Sequence, residues 1–154
     1  MKNIFDKAIS DEVVSRIERL TPETRPQWGK MDAAQMLAHC NRIYEMAYDT
    51  HYDTKHPPPN AFVRLLLRTF LKKVVVGEGK YRRNSRTAPA FLVSNEVDFM
   101  NEKDRTIAYM NTTQALGSAH FNGKNSPSFG PLTAREWSNL FYKHIDHHLE
   151  QFGV

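Results

Sequence analysis

The sequence predicts an all-α fold, an antiparallel four-helix bundle with long crossover loops that occupies residues 1–154 as one domain. Three observations predict it. Apolar residues recur three and four apart in several stretches, the period of one helix face. Residues that cap helix starts and stop helix ends bound these stretches. The chain has 154 residues, 40% hydrophobic and 25% charged, which suits a folded domain with a core of its own and not a disordered chain.

The first helix is expected from Ser10 as N-cap through Val13, Ile17 and Leu20, with Thr21-Pro22 as its stop. A polar connection with Pro26, Trp28 and Gly29 follows. The second helix opens at Asp32, whose carboxylate can take free backbone N–H groups while Gln35 reaches back three residues later. It runs to about Asp49, with Met36, Cys40, Ile43 and Ala47 along one stripe that also holds His39. After Pro57-Pro58-Pro59, a third helix capped by Asn60 is expected to turn Phe62, Leu65, Leu66 and Phe70 inward. Arg64, Arg68 and Lys72 then form an outward row, and Gly77 takes the left-handed position after the helix. Residues 77–91 have no period and read as a long crossover. A fourth helix is expected from a Ser94 or Asn95 cap through Val97, Met100, Ile107 and Met110 to Gly117, although Ile107 to Met110 alone also suits a strand. Ser118 to Leu132 reads as a second loop. The last helix has the clearest start: Thr133 as N-cap, Glu136 three residues on, and Leu132 placed to staple onto Trp137. It reaches Phe152, where Gly153 ends it.

The composition also limits function. One Cys beside seven His excludes an intramolecular disulfide and any Cys-rich zinc module, so metal binding would fall to imidazole. The N-terminal MKNIFDKAIS lacks the apolar run of a signal peptide, and no stretch approaches the roughly 20 apolar residues of a bilayer span. The expectation is a soluble, cytoplasmic protein with no membrane partner. The net charge of +4 is regional: Ala61 to Ala88 carries eight basic residues against Glu78, a local +7.

Placing each His on its helix separates the seven. On the last helix, Phe141, His144 and His148 fall within about 40° of the inward direction set by Trp137, with His147 about 80° off at the edge. Asp146 and Glu150 are expected to face solvent. An i, i+4 pair of His on one face lets both rings reach one ion. The pair alone is a weak signal, since buried His are often satisfied by hydrogen bonds. His39, on the inward stripe of another helix, strengthens it, because a shared cation satisfies one nitrogen of each of three buried rings. The expected metal ligands are His39, His144 and His148, with His147 as second candidate. Cys40, about 100° from His39 on the same helix, reads as a small core residue. His51 and His56 flank a polar loop and read as exposed, and His120 sits in a loop that could fold over the bundle mouth.

Three segments resemble a known family: Trp28 to Cys40 (WGKMDAAQMLAHC), Pro127 to Leu132 (PSFGPL) and Trp137 to Gly153 (WSNLFYKHIDHHLEQFG). They are similar to the DinB-like superfamily of four-helix-bundle metalloproteins, in particular the branch labelled domain of unknown function 1569. The resemblance implies a divalent metal, zinc or nickel, held by one His of the second helix and the His-x-x-x-His pair of the last, which are His39, His144 and His148 here. It also implies a small-molecule transferase or isomerase, since characterised relatives include such enzymes that use bacillithiol, mycothiol or glutathione; a hydrolase is the alternative that a metal-bound water would allow. One departure is Ser126, where the branch often has a His before the Pro-x-Phe-Gly segment. No thiol-binding motif is recognisable.

Three imidazoles leave a coordination position open for water or a thiolate, and neither use needs a protein nucleophile. The sequence accordingly shows no Gly-x-Ser-x-Gly elbow, phosphate loop or dinucleotide fingerprint. Gln35 and Gln151 are candidates for contacts to the ligands or to a substrate. Arg82, Arg83 and Arg86 could clamp an anionic substrate, with His120 as a further candidate contact. Two competing readings remain: a nucleic-acid-binding module that uses residues 64–86 with Tyr81 stacking on a base, and a non-catalytic, metal-stabilised dimerisation unit. The metal-enzyme reading expects no nucleic acid and admits a homodimer.

Overall fold

A computed structural model describes residues 1–93 and 96–154. The chain is mostly helical: α1 (Lys7–Glu18), α2 (Ala33–Tyr48), α3 (Tyr52–Lys55), α4 (Ala61–Leu66), α5 (Lys72–Val76), α6 (Phe99–Phe121) and α7 (Ala134–Gln151). A π turn, Leu67–Leu71, joins α4 to α5, and a 3-10 turn covers Pro89–Phe91. The antiparallel strands β1 (Asn125–Ser126) and β2 (Gly130–Pro131) form a minimal hairpin. Helix α6 packs against α1, α2 and α7, while α7 also packs against α1, α2 and α5. Their shared core contains Val13 and Ile17 of α1, Met36 and Leu37 of α2, Met110 of α6, and Trp137, Phe141 and Ile145 of α7. No helix among the described residues is long and apolar enough to cross a membrane.

Both capping boxes form. Asp32 accepts from the Gln35 N–H at 2.8 Å while Gln35 Oε1 accepts from the Asp32 N–H, and Thr133 and Glu136 make the same reciprocal pair. Leu132 and Trp137 are both buried beside the second box. The first helix starts earlier than expected. Asp6, not Ser10, is its N-cap, because Ile4 and Phe5 anchor the N-terminus in the core; Ser10 lies buried inside the helix. The helix also stops at Glu18, and Leu20 is buried beyond it.

The third expected helix differs most. Asn60 does cap it, accepting from the Val63 N–H. Its polarity is inverted: Phe62, Leu65, Leu66 and Phe70 are exposed. The expected outward row turns toward the body, where Lys72 pairs with Glu136 at 2.7 Å, the Arg68 guanidinium lies against Gly130 and Arg64 is half-buried. Periodicity shows which residues share a face and leaves open which face meets the protein. Gly77 is not left-handed (φ −78°); it is required because a Cβ there would collide with the Lys73 carbonyl.

Helix α6 begins at Phe99 with Asp98 as cap, and the expected caps Ser94 and Asn95 lie outside the described residues. Ile107 to Met110 is helical, not strand. A non-helical Gly117 (φ +69°, ψ 178°) kinks the element, and one further turn carries Ser118 to Phe121, which the sequence placed in a loop. Asp146 does not face solvent freely: it pairs with Arg16 of α1 at 2.6 Å.

Candidate metal centre

Helix α2 supplies His39 and α7 supplies His144 and His148 one turn apart, since both His lie on the face that Trp137, Phe141 and Ile145 bury. The three ring centroids stand 4.8 Å from one another in every pair. One nitrogen from each ring lies within 4.8 Å of the others. His39 and His148 are buried, and His144 is half-buried.

Hydrogen bonds fix two of the tautomers. Nδ1–H of His39 donates to the Phe91 carbonyl at 2.9 Å, so in the neutral ring Nε2 carries the lone pair. Nδ1–H of His148 donates to Gln151 Oε1 at 2.8 Å, which likewise leaves Nε2 free. Gln151 in turn donates from Nε2 to the Trp28 carbonyl at 2.6 Å. Gly29 makes room for that amide: a Cβ at residue 29, held at φ +87°, would stand 2.5 Å from it. Nε2 of His144 faces Nε2 of His39 at 2.9 Å.

Burial keeps these rings neutral. Desolvation lowers the pKa of His39 against the opposing pull of the Phe91 carbonyl, lowers that of His144 well below the ordinary value, and lowers that of His148 to about 3. The other imidazoles add to the depression at His144 and His148. A divalent cation needs neutral imidazoles, and here it would require only that the Nε2 proton of His144, which meets the His39 lone pair, move to Nδ1. The donor set therefore fits a nitrogen-ligated metal ion.

Around the cluster, Trp28 and Tyr81 meet the edge of His147, with centroids 5.9 and 5.7 Å away. The Arg83 guanidinium lies 4.1 Å over the Trp28 ring. The protein matches the profile of the DUF1569 family, described as "Protein of unknown function", over residues 5–153. The chain belongs to this DUF1569 family. No curated protein and no solved structure matches it.

The other sequence candidates divide clearly. The structure brings Gln151 to His148, whereas Gln35 spends its side-chain oxygen on the α2 capping box. His147 stands beside the triad, 5.2 Å from His148 centre to centre, in a half-buried position. Arg82 and Arg86 are exposed on the same strap, residues 77–91, that carries Arg83. His120 is exposed next to Phe121 and Lys124, His51 is exposed at the start of α3, and His56 rests on Tyr52. Cys40 is fully buried beside Met36, and burial pushes its thiol pKa far up, away from thiolate chemistry. Tyr81 is enclosed, its hydroxyl donating to the Val75 carbonyl at 3.0 Å and its ring 4.5 Å beneath the Lys143 ammonium. Sequence reasoning missed the Phe91 and Trp28 carbonyls, because backbone acceptors leave no residue signature. The positive-φ Gly29 beside Trp28 was the one available hint.

Proposed function

We propose that this DUF1569 protein is a metal-dependent enzyme of DinB-like, antiparallel four-helix-bundle architecture, with His39, His144 and His148 holding a divalent ion, zinc or nickel. The observation that carries the reading is the convergence of three neutral imidazoles, two of them with the Nδ1 proton already committed to a fixed oxygen acceptor. In the metal-free protein the Nε2–H of His144 donates to the His39 lone pair, and an ion that replaces this proton would join all three rings.

Three protein ligands leave at least one position open, so the bound ion would supply a lowered pKa to water or to a small-molecule thiol. The chain does the rest. The Phe91 carbonyl and the Gln151 amide hold the rings in register, and the strap of residues 77–91 walls the cluster with Tyr81 and Phe91. Arg83, over the Trp28 ring and without an ion-pair carboxylate among the described residues, presents its N–H groups for an anionic group of a small-molecule substrate. The reaction class that fits is transfer or hydrolysis, with a low-molecular-weight thiol as cosubstrate in the transfer case.

The test begins with metal analysis of protein purified without chelator and after reconstitution with zinc or nickel. Wild type should hold about one ion per chain and His144→Ala should hold little. Equal metal in both proteins would overturn the site. A thermal-shift screen of the loaded protein against bacillithiol and glutathione then separates thiol transfer from hydrolysis, since only the former predicts a thiol-dependent rise in Tm.

A further inference from the structure

A second cleft lies where α2, α3 and α6 meet. Its volume of about 400 Å³ falls inside the roughly 300–1,000 Å³ of small-molecule sites. Arg42, Glu45 and Tyr48 of α2, Lys55 of α3, and Arg105 and Tyr109 of α6 line it. Among the described residues, no hydrogen bond, ion pair or ring contact joins this lining to His39, His144 or His148.

The carboxylates of the wall have spent their acceptors, while the cations keep donors in hand. Glu45 accepts from Arg42 at 2.7 Å through one oxygen and from Arg105 at 2.5 Å through the other. Asp49, also in the wall, accepts from Lys55 at 2.8 Å and from the His51 N–H. Lys55 spends one ammonium proton in this way, and Arg42 spends only its Nη1. The Arg42 Nε–H is shut away from solvent with no partner among the described residues, so this guanidinium gains a hydrogen bond by turning toward an anion in the cleft. A guanidinium edge formed by Nε and one Nη matches the two oxygens of a carboxylate. Apart from His56, the lining cations Arg42, Lys55 and Arg105 exceed the anions Glu45 and Asp49 by one charge, which a single carboxylate cancels.

The remaining wall is aromatic. Both faces of Tyr109 are taken, by Tyr44 at 5.3 Å and by Tyr48 at 5.7 Å, so the ring has its edge to offer. An aromatic edge carries the positive part of the ring quadrupole and packs on the face of another ring. We propose that this cleft binds an aromatic monocarboxylate, with the carboxylate on Arg42 and Lys55 and the ring against Tyr48 and Tyr109. The site is independent of the metal reading, and its test reads neither metal content nor activity.

Calorimetric titration of the full chain with naphthoate measures the binding. It should saturate with a Kd below about 1 mM, and be about tenfold or more tighter than for acetate, which lacks the ring, or naphthylmethanol, which lacks the charge. Arg42→Gln should weaken it by about tenfold. Lys55→Gln, at a side chain 64% exposed and so not needed for folding, should weaken it by about threefold. Affinity should be the same in chelator-treated wild type and in His144→Ala. No saturation by about 1 mM naphthoate overturns the proposal. So does equal affinity for the neutral alcohol, or wild-type affinity in both cleft variants. Binding that disappears with chelator assigns the ligand to the histidine cluster and overturns the second site as well.

Discussion

At the scale of single residues, the candidate centre is an exercise in satisfying polar atoms. Each of His39 and His148 has one nitrogen committed to an oxygen acceptor, and one nitrogen from each of the three rings lies within 4.8 Å of the others. Gln151 is the one side chain in this arrangement with no donor nitrogen for the ion, and it acts by fixing the His148 ring from the Trp28 carbonyl. Gln151→Leu should therefore lower metal affinity by about 10- to 100-fold without abolishing it, read by chelator competition. Gln151→Glu keeps the acceptor for Nδ1–H but loses the donor to the Trp28 carbonyl, so it should recover only part of the loss, and that partial recovery separates orientation from simple packing damage. The same burial sets a pH dependence. His39, His144 and His148 have folded-state pKa values below the ordinary 6.5 of an unfolded chain, so the unfolded state binds more protons under acid conditions. Stability of the metal-free protein is full above about pH 6.5 and falls as the pH drops toward the folded-state values, with His148 alone worth about 2 kcal/mol by pH 5. Urea midpoints at pH 7.5 and pH 5 check this: a midpoint unchanged between them would mean that the rings are solvated and not buried.

At the scale of elements, the sequence was most legible where partners sit three or four residues apart. Asp32 with Gln35 and Thr133 with Glu136 are local pairs, and the helical period placed His144 and His148 on the buried side of α7 before any packing was known. It was least legible where a distant element decides. The stripe of α4 and α5 was plain, but the partners of its polar side are remote, as Glu136 is, 64 residues after Lys72 in the chain. Helix ends show the same limit. The last carbonyls of α1, at Glu18 and in the following Leu20, take the Lys103 ammonium of α6. Those at the end of α5 take Lys143 of α7, through Val74 and Gly77 at 2.7 and 2.6 Å, and Asn139 through Val76. A cation at a helix C-terminus is favoured by the exposed carbonyls whatever chain segment brings it. Burial of Lys143 for this purpose lowers its pKa to about 8. Lys143→Leu leaves two carbonyls unpaired and should cost about 1–3 kcal/mol. The loss should be local, seen as faster amide hydrogen exchange across residues 61–91 than in α2. Uniform acceleration throughout the chain would instead mean that α5 and the strap unfold only with the core.

At the scale of the molecule, the three imidazoles join parts that are remote in sequence. His39 on α2 and His148 on α7 are separated by 109 positions, and the Phe91 carbonyl brings the strap between α5 and α6 to the same point. Elsewhere α2 is tied mainly to α6, through the buried set in which Asn41 donates to Glu102 and Thr106 donates to Asn41, and through Arg105 bridging Glu102 to Glu45. A metal ion bound at the centre would add a clasp between α2 and α7, where the metal-free protein holds neutral rings desolvated around one another. Ligand binding to the native state alone raises stability by RT ln(1 + [L]/Kd), about 4 kcal/mol at a thousandfold excess over Kd. For a chain of this size that corresponds to a rise in Tm on the order of 10 °C. Removing metal with chelator should therefore lower Tm by that amount, and returning one equivalent of zinc or nickel should restore it. His144→Ala should lose the metal-dependent increment while keeping its helical circular dichroism, because the half-buried His144 lies at the cluster and not within the Trp137–Phe141 core. A Tm that ignores chelator in wild type, with metal still measurably absent after treatment, would show that the imidazole cluster is self-sufficient and that no ion contributes to holding α2 against α7.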